Sequence, residues 1–216
     1  KERHNSFGKT EMWYVIKATS DAYLYSGFST PITSGEYIET IENNTFTDKL
    51  KRYNVKTGDV FFLPAGRVHA IGAGCFIAEI QQTSNLTYRI YDYNRKDAQG
   101  NLRELHTELA KEAIDYRVYG DYRTEYSARP NQPVKLVSCE YFTTTLLEMD
   151  IPMTRHYKAL DSFVIYICMQ GHCTLKDNKG NSLFIGQGET VLVPADTEST
   201  LIIPSETTKI LETFIK

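Results

Sequence analysis

Long apolar runs are missing from this chain: hydrophobic stretches break after five to seven residues, far short of the roughly 18 that would read as a membrane span. Basic stripes are missing too. Lys and Arg number 24 against 27 Asp and Glu, a net charge of −3, and the cations are scattered, so nothing recommends a membrane or a nucleic acid as partner. Cysteine is sparse, with Cys75, Cys139, Cys168 and Cys173 each inside an apolar segment and none in a CxxC pair. That excludes a zinc knuckle and points to reduced thiols in a cytoplasmic protein. What remains, 41% hydrophobic and 24% charged over 216 residues, suits a soluble globular protein with one large or two small domains.

Short segments rich in Val, Ile, Phe and Tyr recur between Gly, Pro, Asn and Asp. They are WYVIKA (13–18), DVFFL (59–63), CFIAEIQ (75–81), FTTTLLEM (142–149), FVIYIC (163–168), TVLVP (190–194), TLIIP (200–204) and ILETFI (210–215). Their spacing predicts an all-β sandwich or closed barrel, with continuous runs such as VFFL and VLV buried on both faces. Two stretches, 34–52 and 102–117, read as short helices, the second from Leu102, Leu105, Leu109 and Ala113 at three- and four-residue spacing. Residues 119–133 have the polarity and turn residues of a linker.

The halves on either side of that linker share a design. Gly58, five residues and Pro64 are matched by Gly188, five residues and Pro194; upstream, Glu11 before Trp13 lines up with Asp161 before Phe163. Five residues beyond the proline, however, the first half has His69 and the second Ser199. The second half is therefore expected to keep the shape and to offer no imidazole.

Glycine opens the strand, Pro64 ends it without needing a ladder partner, and a second glycine turns the chain so that His69 points back inward. This Gly58-x5-Pro64-x-Gly66-x2-His69 pattern resembles the second motif of the cupin superfamily, although Ala73 stands where that pattern often closes with asparagine. Two further segments, GKTEMWY (8–14) and TYRIYDYNRKDAQGNLRELH (87–106), occur with it in an order and spacing similar to the short bacterial form of the type I mannose-6-phosphate isomerases. The resemblance implies two cupin-like, jelly-roll β-barrels in tandem: a metal-binding barrel over 1–118, the linker, and a degenerate barrel over 134–216.

It further implies an isomerase that interconverts mannose 6-phosphate and fructose 6-phosphate with one zinc, in the cytoplasm, on a small sugar phosphate. Glu11 and His69 match the family's glutamate and second histidine ligands. The Gln-x-His pair that completes the set has no counterpart here and is expected upstream of Lys1; His4 is a weaker substitute. Glutamate and histidine also suit iron, manganese or cobalt. Arg89 matches an arginine beside the substrate, its fixed charge suited to an enediolate or a phosphate, and Lys9 matches a lysine near the metal. Glu79 and Gln81 alternate on one face of a strand, where either can face the pocket. Asn85 replaces an aspartate of some relatives, which moves the expected proton carrier to Lys9 or Glu79; Gln81 and Asn85 are left as substrate-binding candidates. Tyr88, Tyr91 and Tyr93 could line a sugar pocket or simply pack. The competing expectation is a non-catalytic cupin that binds a sugar; an iron oxygenase is weaker, because no HxH pair is present.

Overall fold

Most of the apolar segments become strands close to where the sequence puts them. The computed structural model describes residues 4–93 and 95–215, in two units that divide between Arg123 and Thr124. In the first unit the strands are β1 (Glu11–Ala18), β2 (Tyr23–Phe28), β3 (Leu50–Asn54), β4 (Val60–Leu63), β5 (His69–Ile71) and β6 (Cys75–Gln81). They form two antiparallel sheets, β4-β1-β6 and β3-β2-β5. Because successive side chains point to opposite faces, Trp13 and Val15 of one sheet meet Leu24 and Tyr53 of the other, and Phe61 and Leu63 close the same core. Helices α1 (Ser34–Glu42) and α2 (Thr107–Lys111) belong to a second cluster, in which Tyr37 and Ala110 pack with Phe28, Phe46 and Val68.

The second unit contains β7 (Gln132–Ser138), β8 (Thr143–Met149), β9 (Met153–His156), β10 (Val164–Gln170), β11 (His172–Asp177), β12 (Ser182–Gly186), β13 (Thr190–Val193), β14 (Ser199–Pro204) and β15 (Thr208–Phe214). Its sheets run β13-β10-β15-β8-β7 and β12-β11-β14-β9, and their inner faces share one core that includes Leu147, Tyr166, Leu175 and Ile202. This is the all-β, cupin-like architecture expected from the sequence.

Several local expectations need correction. The helix predicted over 34–52 stops at Glu42: Thr33 and Glu36 cap its start reciprocally, but Asn44 turns left-handed at φ 56°. A short 3-10 turn and β3 follow. Of the helix predicted over 102–117 only Thr107–Lys111 forms, because Leu102, Leu105 and Leu109 face solvent and Ala110 alone is buried. Residues 119–133 are not a linker throughout. Tyr119 and Tyr122 pack into the first core, and β7 begins at Gln132. The run VLV is not buried on both faces either: β13 is an edge strand whose Leu192 is 58% exposed.

The internal repeat is real in its Gly–Pro frame but differs upstream. Gly58 and Gly188 both take positive φ, 91° and 88°, just before β4 and β13. Glu11 stands opposite Leu63, and the residue opposite the equivalent Val193 is Val164. Strands β1 and β10 shift register at corresponding places, after Val15 and after Cys168. Glu11 therefore corresponds to Val164 and Trp13 to Tyr166, so the expected match with Asp161 and Phe163 is three residues out. Asp161 precedes β10 and is exposed, so no packing constraint tied it to that register. The second unit thus has Val164 and Ser199 at the places of Glu11 and His69, and neither is a usual metal ligand. Ser199→Ala is expected to leave divalent-cation affinity unchanged in a calorimetric titration; a loss of roughly tenfold or more, about 1.4 kcal/mol, would show that the second unit contributes a ligand.

Candidate active site

The turn after β4 positions the histidine. Pro64 cannot extend the ladder, Arg67 N–H donates to the Pro64 carbonyl at 3.0 Å, and Gly66 takes φ 90°. A Cβ on Gly66 would also lie 2.6 Å from the Ala113 carbonyl oxygen. Gly66→Ala is therefore expected to destabilise the protein by about 1–3 kcal/mol in denaturant unfolding; a neutral substitution would show that the turn can relax. Beyond the turn the chain reverses, and His69 pairs with Ser26 of β2.

His69 and Glu11 converge. Nε2 of His69 lies 3.5 Å from Glu11 Oε1, and the Glu11 side chain is 1% exposed. His69 Nδ1 lies 2.7 Å from the Arg67 carbonyl. A carbonyl only accepts, so Nδ1 carries the proton it donates there, and Nε2 is the ring nitrogen turned toward Glu11. Trp13 stands edge-on to the imidazole, with centroids 5.0 Å apart at 88°.

Lys9 enters from the residues preceding β1. Its Nζ is 2.9 Å from Glu11 Oε1, 3.2 Å from Glu79 Oε1 and 2.8 Å from Gln81 Oε1. Trp13 Nε1 donates to the other Glu79 oxygen at 3.0 Å. Glu79 and Gln81 share a face because they stand opposite Trp13 and Glu11 in the ladder. Burial works against the Lys9 charge, but Glu11 and Glu79 outweigh it and raise the lysine above its ordinary value. Burial pushes the Glu11 carboxyl up, yet His69 and Lys9 prevail and hold it below the carboxylate range. Neither Glu11 oxygen has an aligned hydrogen-bond partner, although Lys9 is near. A buried carboxylate with open lone pairs, facing an oriented imidazole nitrogen, is a suitable pair of cation donors.

These groups open onto a cleft of about 870 Å³. Its lining includes Lys9, Glu11, Arg67, His69, Arg89 and Tyr91; Glu79, Gln81 and Asn85 are not part of it. The structure thus brings Lys9, Glu11, His69 and Arg89 to one cleft and places Glu79 and Gln81 behind Lys9. Asn85 is exposed. Arg89 Nη1 donates to the Glu104 carbonyl at 3.2 Å. Two extended stretches are locked together below it: Arg89 N–H donates to His106 Nδ1 at 3.0 Å and His106 N–H to the Arg89 carbonyl at 2.7 Å. His4 Nε2 lies 2.7 Å from the Tyr88 hydroxyl, and Tyr88, Tyr91 and Tyr93 all line the cleft.

Several contributors were not singled out from the sequence. Arg95 and Arg103 clamp Asp92 on the cleft wall, Arg103 Nε donating at 2.6 Å and Arg95 Nε at 3.1 Å. Arg103, then burial, then Arg95 act on this carboxyl, and the two guanidiniums hold it far below the usual range. Trp13 enters the sequence reading only as a marker of the repeat, and Arg67 not at all. The single tryptophan beside Glu11 in the strand, and an arginine two residues before His69, were the available signals.

Among the described residues no group of three or more His, Cys, Asp or Glu side chains could hold a metal ion. Among the described residues, Glu11 and His69 are the pair of candidate cation donors that converge on the cleft.

No family model matches the sequence. Among curated proteins, the chain is 39% identical over 142 residues to mannose-6-phosphate isomerase ManA of Bacillus subtilis (strain 168), a match covering 65% of this chain and 45% of that protein. It is 34% identical over 178 residues to the mannose-6-phosphate isomerase of Streptococcus mutans serotype c, covering 81% and 55%. The chain thus spans about half the length of these relatives. Among solved structures, the mannose 6-phosphate isomerase of Bacillus subtilis superposes with a TM-score of 0.84 at 27% identity, over 96% of this chain and 65% of that one. A zinc-bound mannose 6-phosphate isomerase shares the fold at a TM-score of 0.70 and 11% identity, over 96% and 66%. By sequence over most of its length and by fold over nearly all of it, the chain is a homologue of the mannose-6-phosphate isomerases, of which it spans a part.

Proposed function

We propose that the first unit carries the site of a metal-assisted aldose–ketose isomerase that interconverts mannose 6-phosphate and fructose 6-phosphate in the cytoplasm. The observation that carries this reading is the convergence of buried Glu11 and the oriented His69 Nε2 beside Lys9, at a cleft that Arg89 also lines. The sugar phosphate comes from the relatives' names, and zinc from the zinc-bound neighbour.

Glu11 and His69 are the two ligands this chain would offer a single zinc. Catalytic zinc usually takes three protein ligands and a water, and the resemblance assigns the remainder to a Gln-x-His segment. When bound, the metal would stabilise negative charge developing on the sugar's carbonyl and hydroxyl oxygens.

The chain's own residues supply the rest. Isomerisation of the open-chain aldose removes the proton from C2. The C–H electron pair becomes the C1=C2 double bond, and the C1 carbonyl oxygen takes up a proton to give the enediol. Loss of the O2 proton then restores a carbonyl at C2 while C1 is protonated, so one proton is returned for each one taken. Lys9, held as a cation between Glu11 and Glu79, supplies positive charge and a proton at the oxygen that becomes anionic. Glu79, fixed by Trp13 and Lys9 behind the lysine, holds that cation in place and exchanges a proton with the substrate only through the Lys9 amine. Arg89 offers a permanent charge to the enediolate or the phosphate. Gln81, engaged by Lys9, orients that lysine more than it touches sugar, and Asn85 is retained only as a rim contact for substrate.

One observation favours a second reading, a sugar-binding cupin without catalysis: only two candidate ligands converge among the described residues. A coupled assay of fructose 6-phosphate formed from mannose 6-phosphate, on the complete gene product, separates the two. Turnover abolished by chelator and restored by zinc is the expected result. Sugar-phosphate binding without turnover at any metal loading would establish the binding module instead.

A further inference from the structure

The turn that carries His69 is braced from behind by a side chain with no assigned role. The Arg67 side chain is 8% exposed. Its guanidinium lies over two rings, 4.7 Å from the centroid of Tyr119 and 4.5 Å from that of Tyr122. The nearest carboxylate, Asp115, is 3.9 Å away and is already engaged by Arg117, whose Nε and Nη2 donate at 2.7 and 3.0 Å. Arg67 Nε has no hydrogen-bond partner. A buried guanidinium held mainly by stacking is costly unless its placement accomplishes something.

The backbone of the same residue makes that placement matter. The Arg67 carbonyl accepts the proton of His69 Nδ1 at 2.7 Å and thereby selects which ring nitrogen faces Glu11. The rings that grip the guanidinium are fixed in turn: the Tyr122 hydroxyl donates to the Phe28 carbonyl at 3.1 Å, and the Tyr119 hydroxyl to Asp115 at 3.1 Å. Asp115 N–H closes the arrangement by donating to the Gly66 carbonyl at 2.9 Å. Segment 115–122 therefore holds the turn through both backbone and side chain.

We propose that Arg67 is a positioning residue for His69: stacked on Tyr119 and Tyr122, its side chain fixes the carbonyl that keeps the proton on Nδ1 and leaves Nε2 free to bind a cation. This builds on the proposed isomerase site, but its geometric core, the tautomer of one imidazole, can be read without metal or substrate. Although residue 67 lines the cleft, its side chain is only 8% exposed, and the effect inferred here passes through residue 67's own backbone.

The test is long-range proton–nitrogen correlation on the metal-free, nitrogen-15-labelled protein, with His69→Ala identifying the His69 signals. The wild-type ring should show a protonated Nδ1 and a bare Nε2. Arg67→Met should populate the opposite tautomer and lower zinc affinity by about 10–100-fold, the range typical of losing a ligand's orienting partner. Arg67→Lys should not rescue either readout, because an ammonium does not reproduce the planar stack. Tyr119→Leu, which removes one face of the stack and leaves residue 67 intact, should shift the tautomer in the same direction and decides the matter if Arg67→Met fails to fold. An unchanged tautomer in the folded variants overturns the inference. A tautomer that responds as expected in a protein that shows no isomerase turnover would overturn the functional reading alone.

Discussion

Exchange of His69 for alanine is expected to reduce zinc affinity by more than the roughly 10–100-fold that follows loss of an orienting partner, and to remove isomerase turnover with it. Two protein donors face each other across the site, His69 Nε2 and the Glu11 carboxylate, 3.5 Å apart. Without the imidazole, Glu11 stands alone, with Lys9 only 2.9 Å away to neutralise it. A lone carboxylate already countered by an ammonium has little affinity left for a divalent ion. Competition titration against a chromophoric chelator measures the loss, and elemental analysis of the purified variant checks it. A His69→Ala protein that retains normal zinc would place the metal elsewhere. Glu11→Ala should behave alike, and because it also removes a carboxylate beside Lys9, it further tests whether that lysine depends on Glu11 for its place.

Replacing Arg89 by alanine should separate binding from chemistry. Arg89 lines the cleft and is not one of the two candidate ligands, so zinc content should stay normal while kcat falls by about 100–1,000-fold, the range for removing a preorganised group from developing negative charge. Arg89→Lys should recover little of this, since the guanidinium is anchored through Nη1 to the Glu104 carbonyl at 3.2 Å and an ammonium, although it has three donors, lacks the planar fork that keeps that anchor while aiming a second donor into the cleft. Steady-state kinetics with metal analysis on the same preparations provides the check. Unchanged turnover would remove Arg89 from the site, whereas a loss confined to KM would make it a ground-state phosphate contact.

How far the sequence could carry this reading depended on what fixes each element. Strands such as Cys75–Gln81 were visible because their apolar content is high and bounded by turn residues. Strands β2, β3, β5, β7, β9, β11 and β12 were missed: β2 and β12 contain glycine, β3, β7, β9 and β11 carry charged residues, and β5 has only three residues. His69 was legible because the glycine and proline punctuation around it is dictated by backbone geometry, and Glu11 through the resemblance of GKTE to the isomerase motif. The braces behind them were not. Tyr119 and Tyr122 lie in a stretch whose Gly, Asp and Arg content reads as solvent-exposed, and only the packing shows that Tyr122 reaches the Phe28 carbonyl. The repeat illustrates the same limit. Its Gly–Pro frame was readable, but the correspondence of Glu11 with Val164 depended on ladder register, which an acidic residue outside the strand could not report.

Anomalous diffraction at the zinc edge, on crystals of the complete gene product soaked with zinc, tests the central claim most directly. The account predicts one strong peak in the first unit, about 2.0–2.2 Å from a Glu11 carboxylate oxygen and from His69 Nε2, with Lys9 displaced from Glu11 and no peak beside Ser199. A peak that leaves Glu11 still paired with Lys9, or a cation bound without His69, would contradict it.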